Sequence, residues 1–599
     1  MGAHDASPGP YTAQVQFHRT FTAAARRTLV TLIILNALAQ ATYLTWLLGP
    51  GHWAARSTVG LTTVTSLAAF ASVAAVELVR VLQSVSLWVF SLAARDPVWM
   101  PPSCGLRVAL LTTIVPAMEP IEVVAPTLAA MRRVEYGGGD LDVWVLDEAD
   151  DPRVRDVAGN LGVRHFSRYG RPDYNRSHGP FRARTKAGNH NAWLAEHGDR
   201  YDVVAQLDPD HVPFPEFLER TLGYFRDPDV AFVVAPQVYG DEDSDFVAHG
   251  AAAQAYVFHG VVQRGGNGLA APLLIGTNHV YRVATWRQIG GYQDSIIEDH
   301  LTSMTVHATS NPTTGHRWKG VYTSDILAVG CAPGTWSDFF AQQRRWAYGA
   351  MEIALHQSPR LAVRLAPAQR LAYGLLQSFY PGVALTWVLG TLATLGYLTG
   401  FARPPQLDRA VWSALWTCSV LTTLMLVLWL RRSNVTFRER RELGLRGGLA
   451  TLLTAPVYAA AVTRAAVHRP LGYHVTRKGG AASPDMLRTF RTHLAWFVAI
   501  AIAFGVGTAP GSYASGVTHI WAAIALLACG TPVATHLVSL TRRPAGTPSD
   551  SGRSGSRALL RSSLRRCTRS RPPPLPPVLP VPASVQEHPV PGRGSPRAR

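Results

Sequence analysis

The chain of 599 residues is 47% hydrophobic, only 16% charged, and carries a formal net charge of +18. So little charge excludes an ordinary soluble globular protein, in which about 25% of residues are charged, and the length allows more than one folded region. The positive excess fits a multi-pass membrane protein with basic cytosolic loops, and nucleic acid is not an expected partner, because no basic stripe interleaved with aromatics and no recognition motif is present. Five cysteines (Cys104, Cys331, Cys418, Cys529 and Cys567) form no CxxC pair. That argues against a zinc site or a disulfide framework.

Residues 1–27 are polar, end in Arg26-Arg27, and are read as a cytosolic N-terminal segment. Residues 28–95 are read as two transmembrane helices. The first, 29–48, is long enough to span a bilayer and too long for the apolar core of a signal peptide. The second runs from near 58 to about 79, where Glu77 and Arg80 interrupt the apolar run and are placed at a membrane edge. From 96 to 355 short β-rich runs alternate with helical segments, as in an α/β domain. Its expected strands are 108–115, 141–146, 203–207 and 230–235.

Membrane character returns over 356–540, with spans expected at 371–398, 411–430, 488–506 and 517–540. The run 449–467 is rich in small residues and flanked by Arg446, Arg464 and Arg469, which reads as a helix lying in the interface. Arginines 431, 432, 438, 440, 441 and 446 follow one span, Arg542 and Arg543 follow the last, and the loop 509–516 has no charge. The positive-inside rule then puts six spans in the membrane, with both termini and the α/β domain in the cytosol. Residues 541–599, with twelve arginines and a proline run, form a basic tail expected to be disordered.

Four clusters in the α/β region carry chemistry. Val143-Trp144-Val145-Leu146-Asp147-Glu148 and Val203-Val204-Ala205-Gln206-Leu207-Asp208-Pro209-Asp210 are apolar strands ending in carboxylates, where open α/β sheets bind ligands. Asp208 and Asp210 are two hard oxygen ligands at one strand end, suited to Mg²⁺ or Mn²⁺ and, through the ion, to a diphosphate. Ile296-Ile297-Glu298-Asp299-His300 offers a carboxylate able to deprotonate an attacking hydroxyl, and alternatively an acidic helix start. Gln342-Gln343-Arg344-Arg345-Trp346 offers a guanidinium for a leaving diphosphate and an indole for a sugar face, and alternatively a membrane-surface helix.

In this order and spacing the clusters resemble the processive family 2 glycosyltransferases, and bacterial cellulose synthase catalytic subunits most of all. Lys186-Ala187-Gly188-Asn189 is similar to the family's KAGN segment. Ile275-Gly276-Thr277-Asn278 lies where the family contacts its acceptor, and Tyr473-His474-Val475-Thr476-Arg477-Lys478 looks like its FxVTxK gating loop, within 471–480. Glu148, Ile297, Ile275 and Tyr473 depart from the family's Asp, Thr, Cys and Phe.

The resemblance implies a GT-A, Rossmann-like cytosolic domain inserted between transmembrane helices. It implies an inverting, processive enzyme of the inner (plasma) membrane. That enzyme adds sugar, glucose foremost, from a UDP-sugar to a β-linked polysaccharide acceptor, exports the product, and can work with accessory subunits. Asp147, Glu148, Lys186, Asp208, Asp210, Arg345, Thr476 and Lys478 would bind the nucleotide-sugar, with Asp147 on its uracil and Asp208 and Asp210 on the metal. Asp299 would be the general base. Gln342, Trp346, Gly276 and Thr277 would hold the acceptor. Another β-glycan, a glycolipid product, or a transporter or scaffold with an inactive domain remain alternatives. Tyr380, Trp387, Trp412 and Trp416 are candidate polymer-lining aromatics, or simple packing and belt residues.

Overall fold

The computed structural model describes residues 14–53, 61–472, 482–512 and 514–541. Thr476, Lys478 and all but the first residue of the expected tail lie outside the described residues. Seven helices among the described residues are long and apolar enough to cross a bilayer. Two precede the α/β domain: α1 (Ala23–Leu47) and α2 (Leu61–Ala93).

Helix α2 corrects one expectation. It runs on to Ala93, so Glu77 and Arg80 sit at its middle, not at its end. The charges interrupt the hydropathy without interrupting the helix, because each is satisfied laterally. Arg80 Nε donates to Glu77 Oε2 at 2.6 Å, and its Nη1 donates to Ser419 Oγ at 2.7 Å. A polar seam continues beside them. Asn36 donates to the hydroxyls of Thr422 and Thr423, and Gln40 to Ser84 and Thr423.

The α/β domain is built on a seven-stranded sheet. Its strands in chain order are β1 (Val108–Ile114), β2 (Leu141–Asp147), β3 (Arg164–Phe166), β4 (Val203–Leu207), β5 (Val230–Val234), β6 (His279–Arg282) and β7 (Lys319–Tyr322), arranged in space as β7-β5-β6-β4-β1-β2-β3. All pairings are parallel except those of β6, which runs antiparallel to β4 and β5. Strands β1, β4 and β5 are buried along their whole length, as expected for strands covered on both faces, and this is why they read as unbroken apolar runs. One face packs on Val124, Leu128, Phe217 and Leu222, the other on Trp193, Trp286 and Tyr292. The parallel register aligns Ile114 with Asp147 and Thr112 with Leu207. The carboxyl ends of β1, β2 and β4 therefore share one edge.

Four helices matter for that edge: α3 (Lys186–His197), α4 (Phe246–Val257), α5 (Glu298–His307) and α6 (Trp336–His356). After the domain come α7 (Phe379–Leu398), α8 (Arg409–Leu430), α9 (Leu445–Ala466), α10 (Arg491–Gly507) and α11 (Gly516–Thr541). Six spans were expected, and α9 is the seventh helix of spanning length. Its packing ties it to the α/β domain. Gly447 lies so close to α4 that a Cβ would fall 2.5 Å from the Ala253 carbonyl oxygen, and the Tyr458 hydroxyl donates to Gln343 Oε1 on α6.

Candidate active site

A cavity of about 1350 Å³ opens along the shared strand edge. Its wall includes Glu148, Lys186, Asp208, Asp210, Gly276, Asp299, Gln342, Arg345 and Trp346. These nine sequence-expected residues come from six separate stretches of chain.

Lys186 opens α3, whose N-terminus is capped by Thr185 through the Gly188 amide at 3.1 Å. Its ammonium contacts both Asp208 Oδ1 and the Gly276 carbonyl. Gly276 has a left-handed backbone, φ +77°, and a Cβ there would stand 3.5 Å from Asp299 Oδ2. The glycine thus joins two halves of the site, with its carbonyl on Lys186 and its α-carbon beside Asp299. Thr277 lies behind the wall. Its hydroxyl accepts the Asp208 amide at 2.9 Å, fixing the strand end that carries the DxD.

Asp299 lies in the first turn of α5 and accepts the His300 amide at 2.8 Å. Burial, reinforced by the neighbouring Glu298, raises its carboxyl to about 7. Burial raises Glu298 as well. Helix α6 brings the third group. Gln342, Arg345 and Trp346 are spaced i, i+3, i+4 and share one face, which lines the cavity, while Gln343 turns away to Tyr458. The approach is set one turn further on. Gly349 has no side chain where a Cβ would come within 2.8 Å of both Ile296 and Ile297. The isoleucine in place of the family's threonine is thus a packing contact that seats α6 against the start of α5.

Asp208, Asp210 and His211 bring ligand atoms within 4.8 Å of one another. The carboxylates suit a hard divalent cation. The His211 ring instead orients Asp210, with Nδ1 3.1 Å from its Oδ1, and is boxed against Gly330. Asp241 also lines the cavity and accepts the Ala332 amide at 2.8 Å. Burial, with Asp210 nearby, raises it to about 6. Its acid-rich run, residues 240–245, is the sequence signal for it.

Asp147 does not line the cavity. Its fully buried carboxylate accepts the amides of Ala149 at 2.9 Å and Asp151 at 2.6 Å, and faces His165 at 3.3 Å. A second acidic group, Asp147, Asp150 and His165, is therefore already engaged in shaping its own loop. Arg168, not singled out in the sequence, is fully buried and donates to Glu148 and to the carbonyls of Tyr174, Arg182 and Thr185. Asp338 and Asp485 cap each other's segments. Asp485 accepts the amides of Trp336 at 3.3 Å and Ser337 at 2.7 Å, and Asp338 accepts the Ser483 amide at 2.9 Å. Trp336 Nε1 also donates to Thr535 Oγ1 of α11 at 3.0 Å. Of the candidate polymer-lining aromatics, Tyr380 stands 5.1 Å from Tyr458 and Trp387 6.1 Å from Trp496, while Trp412 and Trp416 stack on each other at 5.8 Å.

Residues 203–432 match the model of a family described as glycosyl transferase family group 2. Over 294 residues the chain is 27% identical to a UDP-forming cellulose synthase catalytic subunit of Xanthomonas axonopodis pv. citri, covering 48% of this chain and 38% of that one. Over 354 residues it is 25% identical to a cellulose synthase 1 catalytic subunit of Komagataeibacter xylinus, covering 58% and 44%. The chain thus spans less than half the length of these curated relatives. Among solved structures, a mannosyltransferase of Pyrobaculum calidifontis in complex with GDP-mannose and Mn²⁺ aligns with a TM-score of 0.45 at 14% identity, over 67% of this chain and all of that one.

Proposed function

We propose that this chain is a cellulose synthase-like member of glycosyl transferase family group 2, with a GT-A domain carried between membrane helices, and that it is an inverting, UDP-forming glycosyltransferase. It extends a β-linked glucan and passes it across the bilayer. The observation that carries the reading is the convergence of Asp299, Arg345 and Trp346 on one cavity with the Lys186–Asp208 pair, joined at Gly276.

The chemistry follows from these groups. A UDP-sugar would lie with its diphosphate against Lys186 and the DxD carboxylates. A divalent cation on Asp208 and Asp210 would neutralise diphosphate charge. Trp346 presents an aromatic face to the terminal sugar of the acceptor, and Gln342 a hydrogen-bonding amide. Asp299 takes the proton of the acceptor hydroxyl as its oxygen attacks the anomeric carbon. The bond from that carbon to the diphosphate oxygen breaks, its electron pair leaves with UDP, and Arg345 offsets the charge that develops. One displacement inverts the configuration, so an α-linked donor gives a β-linkage with no protein nucleophile. Thr476 and Lys478 are proposed to close over the diphosphate.

The basic loop after α8 favours a cytosolic domain, with α9 interfacial and six helices spanning. The test is synthesis by membrane vesicles or purified protein given labelled UDP-glucose and Mg²⁺. Insoluble, β-glucanase-sensitive product is expected. No incorporation from any member of a nucleotide-sugar panel would overturn the reading, and incorporation from another sugar alone would replace the glucan with a different β-glycan.

A further inference from the structure

Two residues before Lys186, Arg184 adopts a left-handed backbone, φ +57°. Glycine accepts that conformation freely and an arginine does not. The strain is held in place from several sides. The Arg184 amide donates to Glu148 Oε1 at 3.2 Å. The carbonyls of Arg182 and Thr185, on either side, both accept from Arg168 at 3.0 and 3.1 Å. The Ala183 amide donates to the Arg176 carbonyl at 2.8 Å. With its main chain pinned this way, the free part of Arg184 is its side chain, which is exposed and lines the cavity.

Among the described residues that side chain has no counter-ion. Elsewhere on the wall, Arg171 pairs with Glu196 and Lys186 with Asp208. The Arg184 guanidinium has neither a hydrogen bond nor an ion pair among the described residues. Over-determined strain at a cavity wall points from geometry to use. A planar guanidinium with paired N–H groups matches the oxygens of a phosphoryl group.

We propose that Arg184 is a donor-binding residue whose guanidinium engages the diphosphate of the nucleotide-sugar, and that this role is why an arginine occupies a position suited to glycine. The carboxylates of Asp208, Asp210, Asp241 and Asp299 share the same cavity, and Lys186 is already engaged with Asp208. With four carboxylates on the wall, an anionic diphosphate needs more cation than Lys186 and Arg345 supply, and Arg184 adds it. The inference rests on the nucleotide-sugar reading above.

The test uses the full chain in detergent, titrated calorimetrically with UDP and with uridine in Mg²⁺, for the wild type, Arg184→Gly and Arg184→Lys. Arg184→Gly is expected to weaken UDP binding by roughly ten-fold or more, the worth of a charged hydrogen bond. Uridine binding should be unchanged, and the Tm without ligand equal or higher, because glycine relaxes the backbone. Arg184→Lys should fall between the two. UDP affinity within about two-fold of wild type in the glycine variant, a difference too small for a charged contact, overturns the proposal. So does an equal loss for UDP and uridine with a lowered Tm, which would make Arg184 a loop-shaping residue. A wild-type chain that binds no UDP removes the donor-site reading itself, a failure visible before any variant is compared.

Discussion

The guanidinium of Arg168 meets the carboxylate of Glu148 twice, Nε to Oε2 at 3.0 Å and Nη2 to Oε1 at 2.7 Å, with none of its own side chain exposed. Its remaining donors hold three carbonyls of the loop that leads into α3, so the pair fixes the cavity wall from behind. Lysine offers three donors on one point where arginine offers five in a fork. Arg168→Lys keeps the charge but cannot hold every loop carbonyl, and should destabilise the fold by about 1–3 kcal/mol, the cost of leaving buried acceptors unsatisfied. Chemical denaturation of the purified chain measures this. A loss under about 1 kcal/mol, the scale of a surface pair, would contradict the assignment.

Asp299 supplies a pH test with two readouts. Its carboxyl is raised to about 7 by burial and by Glu298, so the ionised base is depleted below that value. Turnover, followed as the initial rate of UDP release, should rise with pH through about 7 and then level off. Asp299→Asn should lose roughly 10²-fold or more of that rate. The stability effect has the opposite sign. A carboxyl raised in the folded state destabilises the fold as pH climbs from its unfolded value towards about 7. The asparagine variant should melt with the wild type in acid and above it at pH near 8, where the wild type carries a buried charge.

Removal of divalent cations tests Asp208 and Asp210. Chelation should abolish synthesis reversibly, with Mg²⁺ or Mn²⁺ restoring it, and Asp210→Asn should not be rescued at any concentration of either ion. Full activity in chelator would assign the two carboxylates to Lys186 and His211 alone.

Asp485 and Asp338 lend themselves to a cycle. Each accepts an amide from the segment carrying the other. Asp485→Ala should cost about 1–2 kcal/mol, as for a lost N-cap, and should lower kcat, since the helix it caps carries Arg345 and Trp346. The double change with Asp338→Ala should cost less than the sum of the single changes. Strict additivity would mean that the two caps work independently.

What the sequence revealed and what it hid follow one division. Strand ends were legible because parallel strands buried on both faces show as apolar runs that stop at carboxylates. The expected strands 108–115, 141–146, 203–207 and 230–235 meet β1, β2, β4 and β5 to within a residue. Gln342, Arg345 and Trp346 were singled out by residue type, and helix α6 puts them on one face. Hidden were jobs defined by distant backbone. Arg168 binds carbonyls, which leave no trace in residue type. Asp485 reaches amides 148 and 149 residues back. Asp147 looked like a ligand at a strand end, yet both its oxygens accept loop amides. Glu77 and Arg80 broke the hydropathy and so seemed to mark an end, because their partners lie on another part of the same helix and on a remote one.

That remote partner bears on how the protein is made. Arg80 meets Ser419 across 339 residues, and Asn36 meets Thr422 across 386. When α2 leaves the ribosome, the hydroxyls that complete its polar seam have not been synthesised, and the whole α/β domain must be translated first. The early hairpin of α1 and α2 enters the bilayer with that seam open, and α8 arrives as its late closing piece. A nascent chain halted before α8 should therefore hold its first two helices loosely, open to extraction or to quality-control proteolysis, and tighten them only once residue 423 has been inserted.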